Sequence, residues 1–170
     1  MHDGGRDRAG ARARRLAERL SAAAVAGEVR VATAESCTGG LLAAAITDLP
    51  GASEYYAGGV VAYANDVKVR HLGVEPGDLE SRGAVSEAVA LQMAHGACHR
   101  FSADLAMAVT GIAGPGGGTP EKPPGTVWMA VGLADGTGRA QVRRFAGDRQ
   151  AVRARSVEEV MVMALQAIVR

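Results

Sequence analysis

The sequence contains few of the residues that several common functional classes depend on. Aromatic residues make up 4% of the 170-residue chain, which argues against a stacking surface for single-stranded nucleic acid. The two cysteines, Cys37 and Cys98, are too few for a disulfide framework. No apolar run reaches the roughly 18 residues that a membrane span requires. Since no signal peptide is recognisable either, these absences predict a cytoplasmic protein.

Charge of one sign is also absent. The formal net charge is +1, from 19 basic and 18 acidic residues, so the chain has no general attraction for polyanions. We therefore expect neither a nucleic-acid partner nor a membrane partner, and any phosphate must be recognised locally. The length and the 48% hydrophobic content are those of one domain with one sizeable core.

Residues able to accept a proton near neutral pH are scarce. The chain has two lysines, Lys68 and Lys122, and its other cations are arginines, which stay protonated. Histidine occurs four times, with none within thirty residues of Ser36. A nucleophile near Ser36 must therefore find its base elsewhere in the fold.

Two of the histidines lie four residues apart, with a cysteine between them. His95, Cys98 and His99 fall on a predicted amphipathic helix, and this spacing is compatible with zinc. No further ligands follow at suitable spacing, and a helix face with two histidines is commonly only a solvated surface. We expect no metal and no cofactor.

Hydrophobic periodicity predicts a leading helix followed by the order β-α-β-α-β-β-β-α. The predicted helices cover residues 11–26, 38–49, 68–72, 84–101 and 149–169, with Ser86 and Asp148 as possible caps. The predicted strands cover residues 29–34, 58–64, 103–111, 126–134 and 139–147. This order indicates a three-layer α/β/α fold with a mixed, mostly parallel central sheet. Residues 1–10 are polar and glycine-rich and are predicted to form a disordered tail, and residues 11–170 to form a single domain.

The segment TAESCTGG, residues 33–40, holds four hydroxyl or thiol groups between a predicted strand and a predicted helix. Backbone N–H groups at the start of a helix are unpaired and can bind an anion or an oxyanion. Alternatively, Ser36 or Thr38 only caps the helix and the glycines only permit close packing. The segment is neither the G-x-S-x-G nucleophile elbow nor a P-loop.

Three further features have both a chemical and a structural interpretation. Lys68 can serve as a base if it is desolvated beside a serine, or it is a solvated surface ammonium. Arg149 can form a two-pronged contact with phosphate, or it is a solvated residue of a first helical turn. The Gly- and Pro-rich loop over residues 112–125 can offer backbone N–H groups, and long loops of this kind are usually functional.

Six segments in order resemble the CinA C-terminal domain family, the nicotinamide mononucleotide amidases. They are AESCTGG, DLPGAS, GGVVAYANDVKVRHLGV, GAVSEAVA, AVTGIAGPGGGTPEKPPGTVW and FAGDRQAVR. The resemblance covers about residues 10 to 170. The pyrophosphatase-like N-terminal domain of long CinA proteins has no counterpart here, so the chain is expected to be similar to the stand-alone amidase.

The resemblance implies hydrolysis of the carboxamide of nicotinamide mononucleotide, without metal or organic cofactor, by a homo-oligomer. It implies that Ser36 is the nucleophile and Lys68 its general base, supported by Tyr63, Thr110 and Arg149. Besides Arg149, it implies that the substrate is bound by Cys37, Thr38, Gly39, Gly40, Gly111 and Gly114.

Two other classes of function remain. A non-catalytic nucleotide-binding module would keep the glycine-rich loop and Arg149 but would not need Lys68. A competence- or damage-inducible protein associated with DNA would call for a basic surface, which the near-zero net charge does not supply.

Overall fold

Five strands form one sheet, which helices cover on both faces. The computed structural model describes the backbone of residues 4–169 and the side chains of residues 10–169. The strands follow the order β2-β1-β3-β4-β5 across the sheet. Their bounds are β1 Val31–Glu35, β2 Tyr56–Val61, β3 Leu105–Gly111, β4 Thr126–Leu133 and β5 Gly138–Arg144.

Four of the five strands point in the same direction. Strand β1 pairs in parallel with both β2 and β3, whereas β4 pairs antiparallel with β3 and with β5. The predicted three-layer fold with a mixed, mostly parallel sheet is confirmed. The carboxyl ends of β1, β2 and β3 therefore meet at one edge, where ligands of open α/β sheets usually bind.

The described residues contain six α-helices and one short 3₁₀ turn at Ala52–Glu54. The helices are α1 Gly4–Ala26, α2 Leu41–Thr47, α3 Asn65–Leu72, α4 Pro76–Arg82, α5 Glu87–Phe101 and α6 Arg149–Ile168. Helix α4 was not predicted, although Pro76 in its first turn is a typical start signal. None of the helices in the described part of the chain has both the length and the apolar character needed to cross a bilayer.

Two predicted helix caps are confirmed. The Ser86 hydroxyl accepts a hydrogen bond from the Val89 N–H at the start of α5. The Asp148 carboxylate accepts one from the Ala151 N–H at 2.8 Å, and α6 begins at the next residue, Arg149. The Asp148 cap thus fixes where the Arg149 side chain leaves the helix.

Helix α1 begins earlier than its apolar spacing indicates. The structure places its start at Gly4, whereas the sequence predicts Ala11. Three of residues 4–10 are glycines, so helix propensity does not explain the earlier start. Residues 1–3 lie outside the described residues and no side chain before Gly10 is described, so the predicted disorder of residues 1–10 stays a prediction.

The two faces of the sheet differ in side-chain size. On one face Leu105, Met107 and Val109 of β3 belong to the core formed with α1, α2 and α6. On the other face Ala106 and Ala108 contact the core under α5. Small side chains let α5 approach the sheet closely. This second layer also includes α3, which packs against α5.

Candidate active site

The segment after β1 is attached to both neighbouring strands. The Ser36 N–H donates to the Val109 carbonyl of β3 at 2.9 Å. On the other side, the Ala62 N–H, just past the end of β2, donates to the Glu35 carbonyl at 2.7 Å. Ser36 is therefore held at the middle of the edge where the three parallel strands end.

Residues 36–40, here called the Ser36 turn, separate β1 from α2. Gly39 and Gly40 have φ angles of 59° and 95°, in the left-handed region that favours glycine. The Gly39 N–H donates to the Ser36 carbonyl, and the Leu41 N–H to the Thr38 carbonyl. The predicted helix start at Thr38 is wrong, because the left-handed glycines delay α2 until Leu41.

The start of α2 is capped by a residue that the sequence analysis did not select. The Glu35 carboxylate accepts hydrogen bonds from the N–H groups of Gly40, Leu42 and Ala43, at 3.0, 3.0 and 2.8 Å. Glu35 is 1% exposed, so these three donors replace the water that its charge would otherwise need. The interpretation that Ser36 or Thr38 caps this helix is therefore wrong. The N-cap residue is Gly40, which forms no side-chain cap.

The Glu35 cap restricts which N–H groups remain for an oxyanion. Within the described residues, the N–H groups of Gly39 and Gly40 are hydrogen-bonded, whereas those of Cys37 and Thr38 donate to no other residue. The N–H groups of Cys37 and Thr38 are therefore the candidate oxyanion donors of the Ser36 turn. Substrate binding by the Ser36 turn itself stays a prediction.

The Cys37 thiol is poorly suited to be the nucleophile. Burial raises its pKa to about 11, despite the opposing influence of its own backbone N–H and the positive charge of Arg153. At pH 7 only about one thiol in ten thousand would be ionised, and the thiolate is the reactive form. Ser36 is half-buried, so its hydroxyl remains the more accessible group of the two.

Lys68 is buried rather than solvated. Its side chain is 1% exposed, and Nζ donates to the carbonyls of Ala62 at 2.8 Å and Tyr63 at 3.3 Å. It forms no ion pair with any residue that the structure describes. Burial lowers its pKa, and the nearby Cys37 thiol raises it in part.

Backbone hydrogen bonds connect the Lys68 side chain to the Ser36 turn. Lys68 Nζ is bonded to the carbonyl of Ala62, whose N–H is bonded to Glu35, the residue before Ser36. Ser36 Oγ forms no hydrogen bond with the described part of the chain. Contacts between a nucleophile and its base often form only when substrate is bound.

Arg149 joins two other predicted site residues at the protein surface. Its guanidinium donates to the Tyr63 hydroxyl at 2.9 Å and to the Gly114 carbonyl at 3.1 Å. Tyr63 is 59% exposed, and Arg149 is exposed at the start of α6. Two of the five guanidinium N–H groups are used in this way, which leaves donors for a ligand.

Thr110 and the loop over residues 112–125 are tied to the segment before α5. The Thr110 hydroxyl is buried and donates to the Ala84 carbonyl at 2.8 Å. Lys122 Nζ donates to the Arg82 carbonyl. Gly111 ends β3 and leads into this loop. Lys122 is thereby engaged in holding the loop, whereas Lys68 lies beside the Ser36 turn.

Arg153 is a second residue that the sequence analysis missed. It lies one helical turn beyond Arg149 on α6, and its Nη2 donates to the Thr38 carbonyl at 2.7 Å. Its positive charge also reaches the Cys37 thiol. Spacing of four residues from Arg149 puts both side chains on one face of the helix, which is the one sequence signal that could have found it.

On the predicted helix with His95 and His99, the polar side chains contact backbone carbonyls. A ring nitrogen of His95 lies 3.0 Å from the Thr137 carbonyl, and Cys98 Sγ donates to the Gly132 carbonyl. Across the described residues, no group of three or more His, Cys, Asp and Glu side chains is placed to hold a metal ion. The expected absence of metal in the activity still requires an experiment.

Comparison with known proteins gives closely similar relatives. A family model described as the CinA C-terminal domain matches residues 13–168. A CinA-like protein of Mycobacterium tuberculosis H37Rv is 57% identical over 132 residues, 78% of this chain and 31% of that relative. A CinA-like protein of Mycolicibacterium gilvum is 54% identical over 147 residues, 86% of this chain and 35% of that relative.

Two solved structures have the same fold over nearly their whole length. The competence/damage inducible protein CihA of Agrobacterium tumefaciens has a TM-score of 0.90 and 42% identity, covering 94% of this chain and 96% of its own. A CinA superfamily protein of Escherichia coli has a TM-score of 0.87 and 39% identity, covering 91% and 90%. In contrast, the chain spans about a third of the length of the curated mycobacterial relatives.

Proposed function

The chain belongs to the CinA C-terminal domain family, and on that premise we propose that it hydrolyses the carboxamide of nicotinamide mononucleotide to nicotinate mononucleotide and ammonia. Its longer relatives carry other segments, so this proposal concerns the activity of the present chain alone. A homo-oligomer in the cytoplasm, acting without metal or organic cofactor, is part of the same proposal.

The observation that carries the proposal is the environment of Lys68. A lysine that is 1% exposed, with two carbonyl acceptors and no carboxylate partner among the described residues, is costly to keep charged. Its pKa is lowered by burial, which raises the fraction able to accept a proton. Such a lysine beside an accessible serine fits the acid–base requirement of amide hydrolysis.

In the acylation step, Ser36 Oγ attacks the carboxamide carbon while neutral Lys68 Nζ takes the hydroxyl proton. The carbonyl oxygen becomes an oxyanion and accepts hydrogen bonds from the Cys37 and Thr38 N–H groups. Collapse of this intermediate breaks the C–N bond. Lys68 returns the proton to the departing nitrogen, which leaves as ammonia, and an ester on Ser36 remains.

In the deacylation step, a water molecule attacks the ester carbon while Lys68 again accepts a proton. The second oxyanion is held by the same two N–H groups. Collapse breaks the bond to Ser36 Oγ, and Lys68 gives its proton back to the serine. The product is nicotinate mononucleotide, and the enzyme regains its starting protonation state.

The substrate phosphate is assigned to Arg149. Three of its guanidinium N–H groups are not engaged with Tyr63 or Gly114, and a guanidinium binds phosphate oxygens in a two-pronged geometry. The contacts to Tyr63 and Gly114 hold the guanidinium between the end of β2 and the glycine-rich loop. Lys122 ties that loop to the Arg82 carbonyl, and Thr110 bonds to the Ala84 carbonyl near the start of the loop.

A non-catalytic nucleotide-binding module is the main competing function. It would use Arg149 and the loop but would have no need of a buried, unpaired lysine. Ammonia release from nicotinamide mononucleotide by the purified chain, in buffer treated with a chelator, separates the two. Turnover with formation of nicotinate mononucleotide supports the amidase, whereas binding without turnover supports the module.

The names of the solved relatives refer to competence and damage induction. An association of this chain with DNA would require a positive surface to neutralise phosphates, and its formal net charge is only +1. The low net charge does not favour DNA binding, whereas the environment of Ser36 and Lys68 supports an amidase.

A further inference from the structure

The Ser36 turn is held from two sides by side chains of opposite charge. Glu35 accepts hydrogen bonds from the N–H groups of Gly40, Leu42 and Ala43. Arg153 donates to the Thr38 carbonyl at 2.7 Å. Neither side chain belongs to the acid–base pair of the proposed mechanism, so their presence here needs a separate explanation.

We propose that Glu35 and Arg153 are positioning residues that lock the Ser36 turn so that the Cys37 and Thr38 N–H groups face the oxyanion. This inference rests on the proposed amidase function and goes beyond it, since it assigns how the turn is kept in a productive geometry. Neither residue is proposed to touch the substrate.

The Glu35 contacts support this role because of how they divide the backbone donors. The carboxylate engages the N–H groups at the end of the turn and in the first turn of α2. The donors at positions 37 and 38 donate to no other residue that the structure describes. Because Glu35 accepts hydrogen bonds from Gly40, Leu42 and Ala43, it does not compete with an oxyanion for the N–H groups of Cys37 and Thr38.

The Arg153 contact fixes the peptide unit that directly follows the two donors, the one between Thr38 and Gly39. The Thr38 carbonyl is bonded to Arg153 Nη2 and also accepts the Leu41 N–H at 3.2 Å. A peptide plane with its carbonyl fixed cannot rotate freely, so the following residues keep their left-handed conformation. Gly39 lies directly beside this guanidinium, because a Cβ built there would be 3.7 Å from Nη2.

The backbone conformation of the Ser36 turn explains why contacts from both Glu35 and Arg153 are required. Gly39 and Gly40 both have positive φ angles, and glycine has more accessible backbone conformations than any other residue. Without external contacts, such a turn would sample several orientations of its N–H groups. A displacement of about 1 Å in a catalytic group can lower the rate roughly 100-fold.

The first test replaces the carboxylate with its neutral isostere. Glu35→Gln keeps the shape, but its NH₂ group must face one of the three N–H donors. We expect kcat for ammonia release to fall about 100-fold while KM stays within about twofold, as for a misaligned turn that still binds substrate. Glu158→Gln is the matched control, because Glu158 is also a buried carboxylate but lies nine residues beyond Arg149 on α6.

The second test uses Arg153, whose half-exposed side chain is less important for folding. Arg153→Met should lower kcat, and Arg153→Lys should recover much of it, since an ammonium can also donate to the Thr38 carbonyl. Arg155→Met is the control, because Arg155 lies on the same helix and donates to the Ala146 carbonyl instead. If the Glu35→Gln protein does not fold, this series decides the claim.

Amide hydrogen exchange provides a readout that does not depend on turnover. Glu35→Gln should accelerate exchange at Gly40, Leu42 and Ala43, and Glu158→Gln should leave these amides as in the wild type. If the wild-type chain releases no ammonia, the proposed function fails, and hydrogen exchange alone then tests whether Glu35 holds the Ser36 turn. Unchanged exchange in Glu35→Gln, or equal losses of kcat in the variants and their controls, overturns the inference.

Discussion

Two groups of polar residues meet at the carboxyl edge of the sheet, and they are held in different ways. The buried group consists of Glu35, Lys68 and Thr110, each 1% exposed and bonded to backbone atoms. The exposed group consists of Tyr63 and Arg149, which contact each other at 2.9 Å in view of solvent.

The difference in exposure to solvent gives the two groups different roles in the proposed reaction. Buried groups are fixed and poorly hydrated, so they act strongly on charge that develops during the reaction. Exposed groups are screened by water and exchange partners readily, which suits the capture of a charged substrate. Changes near the buried group should therefore lower kcat, and changes in the exposed group should raise KM.

The largest effect is expected at the nucleophile that lies against the buried group. Ser36→Ala should reduce turnover of nicotinamide mononucleotide by about 10⁴-fold or more, since no acyl intermediate can form. The half-buried hydroxyl has no hydrogen-bond partner among the described residues, so the thermal midpoint should change little. Turnover and thermal unfolding of the same preparation measure both quantities.

Cys37→Ala is the matched control for the neighbouring position. Its thiol has a pKa of about 11 and is not the reactive group, so this variant should keep most of the activity. Full activity in Ser36→Ala together with inactivity in Cys37→Ala would move the nucleophile by one residue.

The next largest effect is expected at Lys68. An ordinary lysine is a free base in fewer than about one molecule in a thousand at pH 7, so a base with a lowered pKa is a large advantage. Lys68→Arg and Lys68→Met should both lose at least about 10³-fold in kcat/KM, because neither side chain accepts a proton near neutral pH. Substantial activity in Lys68→Arg would reduce the lysine to an electrostatic role.

The pH dependence of the wild-type chain tests whether the pKa of Lys68 is lowered. Burial lowers the pKa of Lys68 from its ordinary 10.5, so the acid limb of kcat/KM should lie below that value. Between the lowered and the ordinary pKa, the unfolded chain binds more protons than the folded one, so wild-type stability should rise with pH. Lys68→Met should lack this rise when denaturant unfolding is measured across the same range.

A smaller effect is expected in the exposed group. Arg149→Ala should raise KM for nicotinamide mononucleotide about tenfold and change kcat much less, because a charge-assisted contact to phosphate is lost. The difference should shrink for nicotinamide riboside, which has no phosphate. Tyr63→Phe is the control that removes one contact of the guanidinium but keeps its charge.

An equal loss of kcat/KM for the mononucleotide and the riboside in Arg149→Ala would contradict this assignment. It would place the exposed group in the chemistry or in the stability of the fold, and the two groups would no longer differ in role.

The smallest effect is expected from removal of metal ions. Treatment with EDTA followed by gel filtration should leave kcat and KM unchanged, since the proposed steps use only Ser36, Lys68 and backbone donors. A loss of activity that added zinc restores would show that a metal takes part.

Sequence alone predicted the sheet well because its strands have strong patterns. The β-branched and apolar segments at β1, β3 and β4 were placed within a few residues, and the Asp148 cap marked the start of α6 correctly. Helix α2 was placed too early because left-handed glycines interrupt a segment that is otherwise typical of helix. Local propensity does not show that Gly39 and Gly40 adopt positive φ angles.

The candidate site was predictable only where a motif marks it. Lys68 was selected because the chain has two lysines, but its burial depends on how α3 packs against α5, which is a long-range property. Glu35 and Arg153 were missed because their roles consist of contacts to backbone atoms, across the glycine turn for Glu35 and from a distant helix for Arg153. No periodicity or composition reports such contacts, and Arg153 is 115 residues from its partner Thr38.

The central claim is that hydrolysis passes through an ester on Ser36, and competition between water and hydroxylamine tests it most directly. Nicotinamide mononucleotide is turned over by the wild-type chain with increasing hydroxylamine, and the products are quantified together with ammonia. The account predicts a growing share of hydroxamate beside nicotinate mononucleotide, and neither product from Ser36→Ala. Formation of the acid alone at every hydroxylamine concentration, or no release of ammonia, would contradict it.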